Sequence, residues 1–97
     1  MNRLEARRRF VQRMKDNYPP GTRLVLLQMG DDPRPVEPNT KCTVMTVDDM
    51  GTLHCDFDNG RQLGLVPGED SFRRLTEREL AEEKQMNETQ DFGMKMR

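Results

Sequence analysis

The order of apolar and polar positions divides the chain into a helical start, a middle of short strands and a helical end. Residues 2–16 contain no glycine or proline and are rich in strong helix formers, so they predict a helix. Leu4, Val11 and Met14 fall on one side of that helix, with Phe10 beside them. Arginines interrupt the first half of this stripe, which leaves only the last two turns able to pack on a core. The prolines that follow end the helix.

From Thr22 to Phe72 the pattern changes to short apolar runs bounded by turn residues, as expected for a small barrel or sandwich. Asn59 and Gly60 predict a tight hairpin turn, because both residues tolerate positive φ angles. The predicted strands are Thr22–Met29, Lys41–Val47, Thr52–Phe57 and Arg61–Val66, followed by a short turn over 70–74 that leads into a last strand.

The apolar residues that alternate toward one face of these strands predict a single small core. A core of this size is marginal by itself, so docked helices or a second subunit are expected to add stability. Val25 and Leu27 point to the outer face, where a helix or another copy would dock. The inward set is Leu24, Leu26, Val44, Val47, Leu53, Cys55, Phe57, Leu63, Leu65, Val66 and Phe72.

Thr76 and Glu79 form a capping box, which predicts a helix start at this point. Leu75 and Leu80 occupy the positions of a hydrophobic staple around it. Past Met86 the apolar stripe is lost, and a frayed tail is expected there. The predicted fold is mainly β: a small SH3-like five-stranded barrel over 18–75, flanked by a basic helix over 1–17 and an acidic helix with its tail over 76–97.

Charge is distributed unevenly along the chain, although the 16 basic and 17 acidic residues leave a net charge of only −1. The first 15 residues hold six cations against one carboxylate, Glu5, a local charge of +5. This asymmetry predicts either an anionic partner for the helix or attraction between the two ends of the chain. The cations are Arg3, Arg7, Arg8, Arg9, Arg13 and Lys15.

Targeting and redox signals point to the cytoplasm. No apolar run approaches the roughly 18 residues that span a bilayer, and the basic start is not followed by the apolar stretch of a signal peptide. Cys42 and Cys55 are too few for a disulfide scaffold. We expect buried thiols; a disulfide across the hairpin is the alternative, which a reducing cytosol opposes.

A set of spaced turn and strand residues over roughly 17–75 resembles the domain-of-unknown-function 4314 family. The residues that carry the resemblance are Pro19-Pro20-Gly21-Thr22-Arg23, Asp32-Pro33, Thr40-Lys41, Thr43-Val44, Val47-Asp48-Asp49, Gly51, Leu53-His54, Asp58-Asn59-Gly60, Leu63, Pro67-Gly68, Asp70 and Phe72. Cys42 stands where the family has a glycine and Phe57 where it has a tryptophan. The resemblance implies a small bacterial protein, often from a phage or another mobile element, with no established activity. It therefore assigns no catalytic or binding residue.

Candidate catalytic and metal-binding residues are few. His54 and Asp56 share a strand face, and a triad with Ser71 can be drawn, but nothing in the sequence brings Ser71 to them. His54 and Cys55 point to opposite faces of one strand, and the chain has no Cys-x-x-Cys pair, so no zinc site is predicted with Cys42. We expect neither an enzyme nor a cofactor.

The predicted function is that of a non-catalytic interaction module. The leading hypothesis is a protein-binding or self-associating accessory protein of a mobile element, with a homodimer as one form. The alternative is a nucleic-acid-binding barrel whose basic helix, Arg3 to Lys15, contacts phosphates. SH3-like barrels bind both peptides and nucleic acids, so the predicted fold does not choose between them.

Overall fold

The computed structural model describes residues 2–85, which form two helices and five strands. The helices are α1, Arg3–Asn17, and α2, which begins at residue 77 and is described to residue 85. The strands are β1, Arg23–Gln28; β2, Lys41–Val47; β3, Leu53–Phe57; β4, Gln62–Leu65; and β5, Ser71–Arg74. The frayed tail predicted past Met86 lies outside the described residues. None of the helices in the described part is long and apolar enough to cross a membrane.

All five strands belong to one antiparallel sheet in the order β4-β3-β2-β1-β5. The register shifts by one residue at Leu27 of β1 and at Met45 of β2, and both of these side chains are exposed. Such irregularities bend a sheet at the point where they occur. β4 and β5 are its two edges and do not pair with each other. A mainly β fold with five strands is thus confirmed, whereas closure into an SH3-like barrel is not.

One face of the sheet carries the core, as the alternation of the strands predicts. Eight of the eleven predicted inward residues are buried, and Leu63, Val66 and Phe72 are partly buried. Two further residues join them: Cys42, and Val36 from the proline-rich loop. The loop residue is buried without belonging to a strand, so alternation could not identify it.

Only the second half of α1 packs on the sheet. Val11 and Met14 are 8% and 9% exposed, whereas Leu4 in the first half is 57% exposed. Phe10 lies against Gly51, where a Cβ atom would come within 2.4 Å of the phenyl ring. Gly51 also has a φ of +86°, a conformation that favours glycine. The prediction that only the last two turns dock is confirmed.

The predicted capping box starts α2. The amide of Thr76 donates to Glu79 Oε1 at 2.9 Å, and the amide of Glu79 donates to the Thr76 hydroxyl at 3.1 Å. Arg73 on β5 also donates to Glu79, at 2.7 Å. The hydrogen bond from Arg73, with that from the Thr76 amide, lowers the pKa of Glu79 to about 2.

A guanidinium on β1 holds α2 against the outer face of the sheet. Arg23 Nη1 and Nη2 donate to the two carboxylate oxygens of Asp58 at 2.8 and 2.7 Å, and Nε and Nη2 donate to Glu83 of α2 at 3.2 and 2.5 Å. Nη1 also donates to Thr43 at 3.0 Å. Val25 follows Arg23 on this face and is only 4% exposed. The outer face of β1 is therefore a helix-docking face, as its sequence predicts.

Candidate functional site

The cations predicted to contact nucleic acid all lie on α1. Asn2 caps this helix by accepting a hydrogen bond from the Glu5 amide at 2.8 Å. The first two turns are exposed, since the packing on the sheet begins only at Phe10. The structure thus presents the arginines of the first half as an exposed basic helix.

These six side chains surround the helix instead of forming one stripe. At 100° per residue, positions four or seven apart fall on the same side of a helix. The rows are Arg3 with Arg7, Arg9 with Arg13, and Arg8 with Lys15. The row of Arg9 and Arg13 faces away from the packed side, and the row of Arg8 and Lys15 lies to one side of it. The row of Arg3 and Arg7 continues the packed side into the exposed first half of the helix. Like charges four residues apart destabilise an isolated helix, so this distribution works against helix stability.

Within residues 2–85, one of the six cations forms an ion pair. Lys15 Nζ lies 3.9 Å from Asp49 Oδ1, and the Asp49 side chain is fully exposed. Two carboxylates of α2 are bound by the sheet, Glu79 by Arg73 and Glu83 by Arg23, and Glu82 pairs with Arg78 of its own helix. Attraction between the two ends is therefore not what neutralises α1 in the described part of the chain.

Two grooves on the surface are lined by candidate residues, and their volumes are about 430 and 520 Å³. The larger, about 520 Å³, runs along α1 and combines apolar Leu4 and Val11 with Arg7, Arg8 and Lys15. The smaller, about 430 Å³, lies on the outer face of β2, β3 and β4. Its lining includes Met45, His54, Asp56, Gln62 and Gly64.

His54 and Asp56 thus share a groove, but the third member of the imagined triad is elsewhere. Ser71 lies on β5, which two strands, β2 and β1, separate from β3 in the sheet order. His54 Nε2 instead lies 2.8 Å from Asp48 Oδ2. Asp48 Oδ1 also accepts hydrogen bonds from the amides of Met50 and Thr52.

This pairing has a structural consequence for the turn between β2 and β3. The hydrogen bond with His54, followed by that from the Met50 amide, lowers the pKa of Asp48. The carboxylate organises the turn and orients the imidazole at the same time. His54 is therefore a turn-stabilising residue at the rim of the groove.

The two cysteines are buried thiols on the inner face of the hairpin, and no disulfide joins them. The Cys55 thiol donates to the Leu53 carbonyl at 3.5 Å, and the neighbouring Cys42 thiol, with burial, raises the pKa of Cys55. Neither thiol lies on the face of His54. Among residues 2–85, no group of three potential metal ligands comes together.

The match with a protein family covers most of the chain. Residues 7–75 match the family described as Domain of unknown function (DUF4314). The chain belongs to this family. The DUF4314 match begins at residue 7, ten residues before the resemblance in the sequence analysis, so it includes the packed half of α1 with Phe10, Val11 and Met14. No curated protein and no solved structure matches the chain.

Sequence reasoning missed two features of the DUF4314 domain that bear on binding. The groove on β2, β3 and β4 lies beside the register shift at Met45 and has Gly64 in its lining. Arg23 and its three partners, Thr43, Asp58 and Glu83, form a cluster whose members lie up to 60 positions apart, and no local pattern indicates it.

Proposed function

We propose that the protein is a non-catalytic interaction module that binds the phosphate backbone of nucleic acid through α1. The observation that carries this proposal is the set of five arginines on α1 that have no carboxylate partner among residues 2–85. Guanidinium groups bind phosphate oxygens with two parallel hydrogen bonds, and each phosphate contact adds salt-dependent affinity.

The placement of the cations favours a nucleic acid over an acidic protein. A protein surface would meet one side of α1, whereas the walls of a nucleic-acid groove present phosphates on both sides of an inserted helix. The three basic rows fit the second arrangement. Arg3 also lies in the first turn, where the helix dipole disfavours a cation. A bound phosphate relieves both this unfavourable placement and the repulsion within the rows.

Protein binding was the first hypothesis from the sequence and nucleic-acid binding the second; the placement of the cations on α1 supports ranking nucleic acid first. The explanation of the basic helix that needs no ligand was pairing with the acidic end of the chain. Within the described residues, Glu79 and Glu83 are bound to the sheet instead. The proposal also includes the cytoplasmic location and the accessory role in a bacterial mobile element that were predicted from the sequence.

The fold supports a binding role by analogy. We regard the sheet as an opened form of a small SH3-like barrel, because every strand contributes to the one apolar cluster that its inner face encloses. Two register shifts give the sheet the bends that such curvature needs. Small barrels of this kind serve as binding modules, and the separation of Ser71 from His54 gives no support to a hydrolytic role.

Fluorescence anisotropy with a labelled DNA duplex and the corresponding RNA duplex tests the proposal. The variant Arg9→Gln/Arg13→Gln removes the row that faces away from the sheet, and Arg34→Gln/Arg61→Gln removes the same charge elsewhere. Loss of two phosphate contacts should weaken binding by roughly 10- to 100-fold and reduce the slope of log K against log salt by about 1.8. The control should retain most of the affinity. Equal losses in both variants would mean that α1 is not the contact surface.

A further inference from the structure

We propose that the open edge of β4 pairs with β4 of a second copy, giving a two-fold symmetric dimer through a continuous antiparallel sheet. The inference concerns a strand that is not part of α1 and does not depend on nucleic-acid binding. It rests on the direction of the backbone groups of β4, on the contrast between the two edges, and on the groove beside Gly64.

The hairpin register fixes which backbone groups of β4 face outward. The Phe57 amide donates to the Arg61 carbonyl at 2.8 Å, which makes these two residues a hydrogen-bonded pair. Hydrogen-bonded pairs alternate along an antiparallel ladder, so Leu63 and Leu65 bond to β3. The N–H and C=O groups of Gln62 and Gly64 therefore point away from the sheet.

Residue 66 confirms this direction. The Val66 amide donates outward to Asp70 Oδ2 at 2.8 Å, and its carbonyl accepts from the Glu69 and Asp70 amides at 3.0 and 2.9 Å. The turn after β4 thus satisfies the outward groups of Val66. Those of Gln62 and Gly64 have no partner among residues 2–85.

The two edges of the sheet differ in how they are protected. Natural edge strands carry charges, bulges or covering elements that prevent pairing with other chains. β5 has Arg73 and Arg74 and a register shift against β1, and α2 follows directly from it. β4 has the uncharged sequence Gln-Leu-Gly-Leu and an uninterrupted register with β3. The β4 edge is therefore the one built to accept a strand.

A second copy fits this edge because its outward groups are self-complementary. In an antiparallel dimer, Gln62 of each copy forms a hydrogen-bonded pair with Gly64 of the other, so all four outward groups of each strand are used. The two-fold axis then passes between the two Leu63 side chains, which are only partly buried in one copy. Each covers the exposed part of the other.

The groove on the outer face lies next to the position that the Gln62 side chain of the second copy takes in the dimer. Gln62 of the second copy stands opposite Gly64, on the outer face of the sheet. That face holds the groove of about 430 Å³ next to Met45, His54 and Asp56. In the register of β3 with β4, the next side chain in that row is His54 at the rim of the groove, and Thr52 bounds the space above Gly64. The two-fold symmetry places each Gln62 in this position on the other copy.

Amide hydrogen exchange of the wild-type protein, followed by NMR from about 10 µM to about 1 mM, tests the pairing directly, since an interface this small is expected to be weak. The amides of Gln62 and Gly64 should become protected as concentration rises, together with an increase in sedimentation coefficient. The Leu63 amide should be protected throughout, and the outward Phe72 amide on β5 at no concentration. A monomer at every concentration would overturn the proposal, as would protection of Phe72 without Gln62 and Gly64.

A matched pair of variants tests the register. Gln62→Glu places the carboxylates of the two copies diagonally across the seam, roughly 7–8 Å apart, and should weaken dimerisation severalfold through their repulsion. Gln28→Glu makes the same change on an exposed position of β1 and should leave dimerisation unchanged. Both side chains are exposed, so both variants should fold. Equal dimerisation of the two variants would exclude this interface.

Discussion

Replacement of Arg23 by methionine is expected to destabilise the fold through the loss of one guanidinium that joins β1, the β3–β4 hairpin and α2. Methionine keeps most of the apolar stem and removes every hydrogen bond to Asp58, Glu83 and Thr43. After the change, Asp58 loses its hydrogen-bonded cation, and Glu83 keeps only Lys41, at 3.9 Å. The effect should therefore exceed that of an ordinary surface substitution.

The exposure of the three charged groups determines how much the free energy of unfolding should fall in Arg23→Met. The side chain of Arg23 is 18% exposed, that of Glu83 24% and that of Asp58 50%. Removing one partner of a fully buried pair costs about 3–5 kcal/mol, and an exposed pair contributes at most about 1 kcal/mol. The Arg23 cluster lies between these two cases, so Arg23→Met should lower the free energy of unfolding by about 2 kcal/mol. For a domain of this size, that corresponds to a fall in Tm of roughly 8–16 °C.

The pH dependence of the stability difference shows whether the loss of the charge pairing with Asp58 causes it. The hydrogen bond from Arg23 lowers the pKa of Asp58 in the folded state, and the Asp58 carboxylate in turn raises the pKa of Arg23. A carboxylate with a lowered folded pKa stabilises the fold above its unfolded pKa of about 3.9 and loses that contribution as pH falls through the folded value. The stability gap between wild type and Arg23→Met should be complete at pH 7 and should shrink below about pH 4.

Urea denaturation followed by circular dichroism between pH 7 and pH 2 measures this gap, with Arg34→Met as an exposed control. The control should lie within about 0.5 kcal/mol of wild type at pH 7. The reasoning is refuted if Arg23→Met behaves like the control at pH 7, or if its gap to wild type is the same at both ends of the pH range.

Two further predictions concern α1 docking and the thiols. Gly51→Ala should destabilise the protein by more than Gly60→Ala in urea denaturation, because both have positive φ but only the Gly51 Cβ would meet Phe10; equal effects would contradict the packing of α1. Cys42 and Cys55 should react with iodoacetamide at pH 8 only as fast as the native protein unfolds, and fully in urea; rapid labelling of the native protein would contradict their burial.

The local elements of this fold could be predicted because local chemistry determines them. Strand β2 has the predicted bounds, and β1, β3 and β4 differ by one residue at their ends. The turn predicted over 70–74 is wrong, because Ser71–Arg74 pairs with β1 and forms β5. The turn after Phe57 follows from Asn59 and Gly60, and the start of α2 from its capping box. In each of these cases, the residues that specify the element lie within a few positions of one another.

Features that depend on contacts between distant segments could not be predicted. Alternation placed Val25 on the outer face correctly, but it did not predict that this residue is only 4% exposed. The burial of Val36 was not predicted either, because a proline-rich loop carries this residue to the core. The candidate basic helix was predicted from charge alone. That its arginines have no carboxylate partner within residues 2–85 depends on where the carboxylates of α2 lie.

Titration of the isotope-labelled protein with a DNA duplex, followed by amide chemical shifts in two-dimensional NMR, tests the binding role of α1 most directly. Our account predicts that the largest shift changes occur between Arg3 and Lys15 and disappear as salt is raised. Shift changes confined to the β3–β4 groove around His54, with α1 unaffected, would contradict it, and so would the absence of any change at low salt.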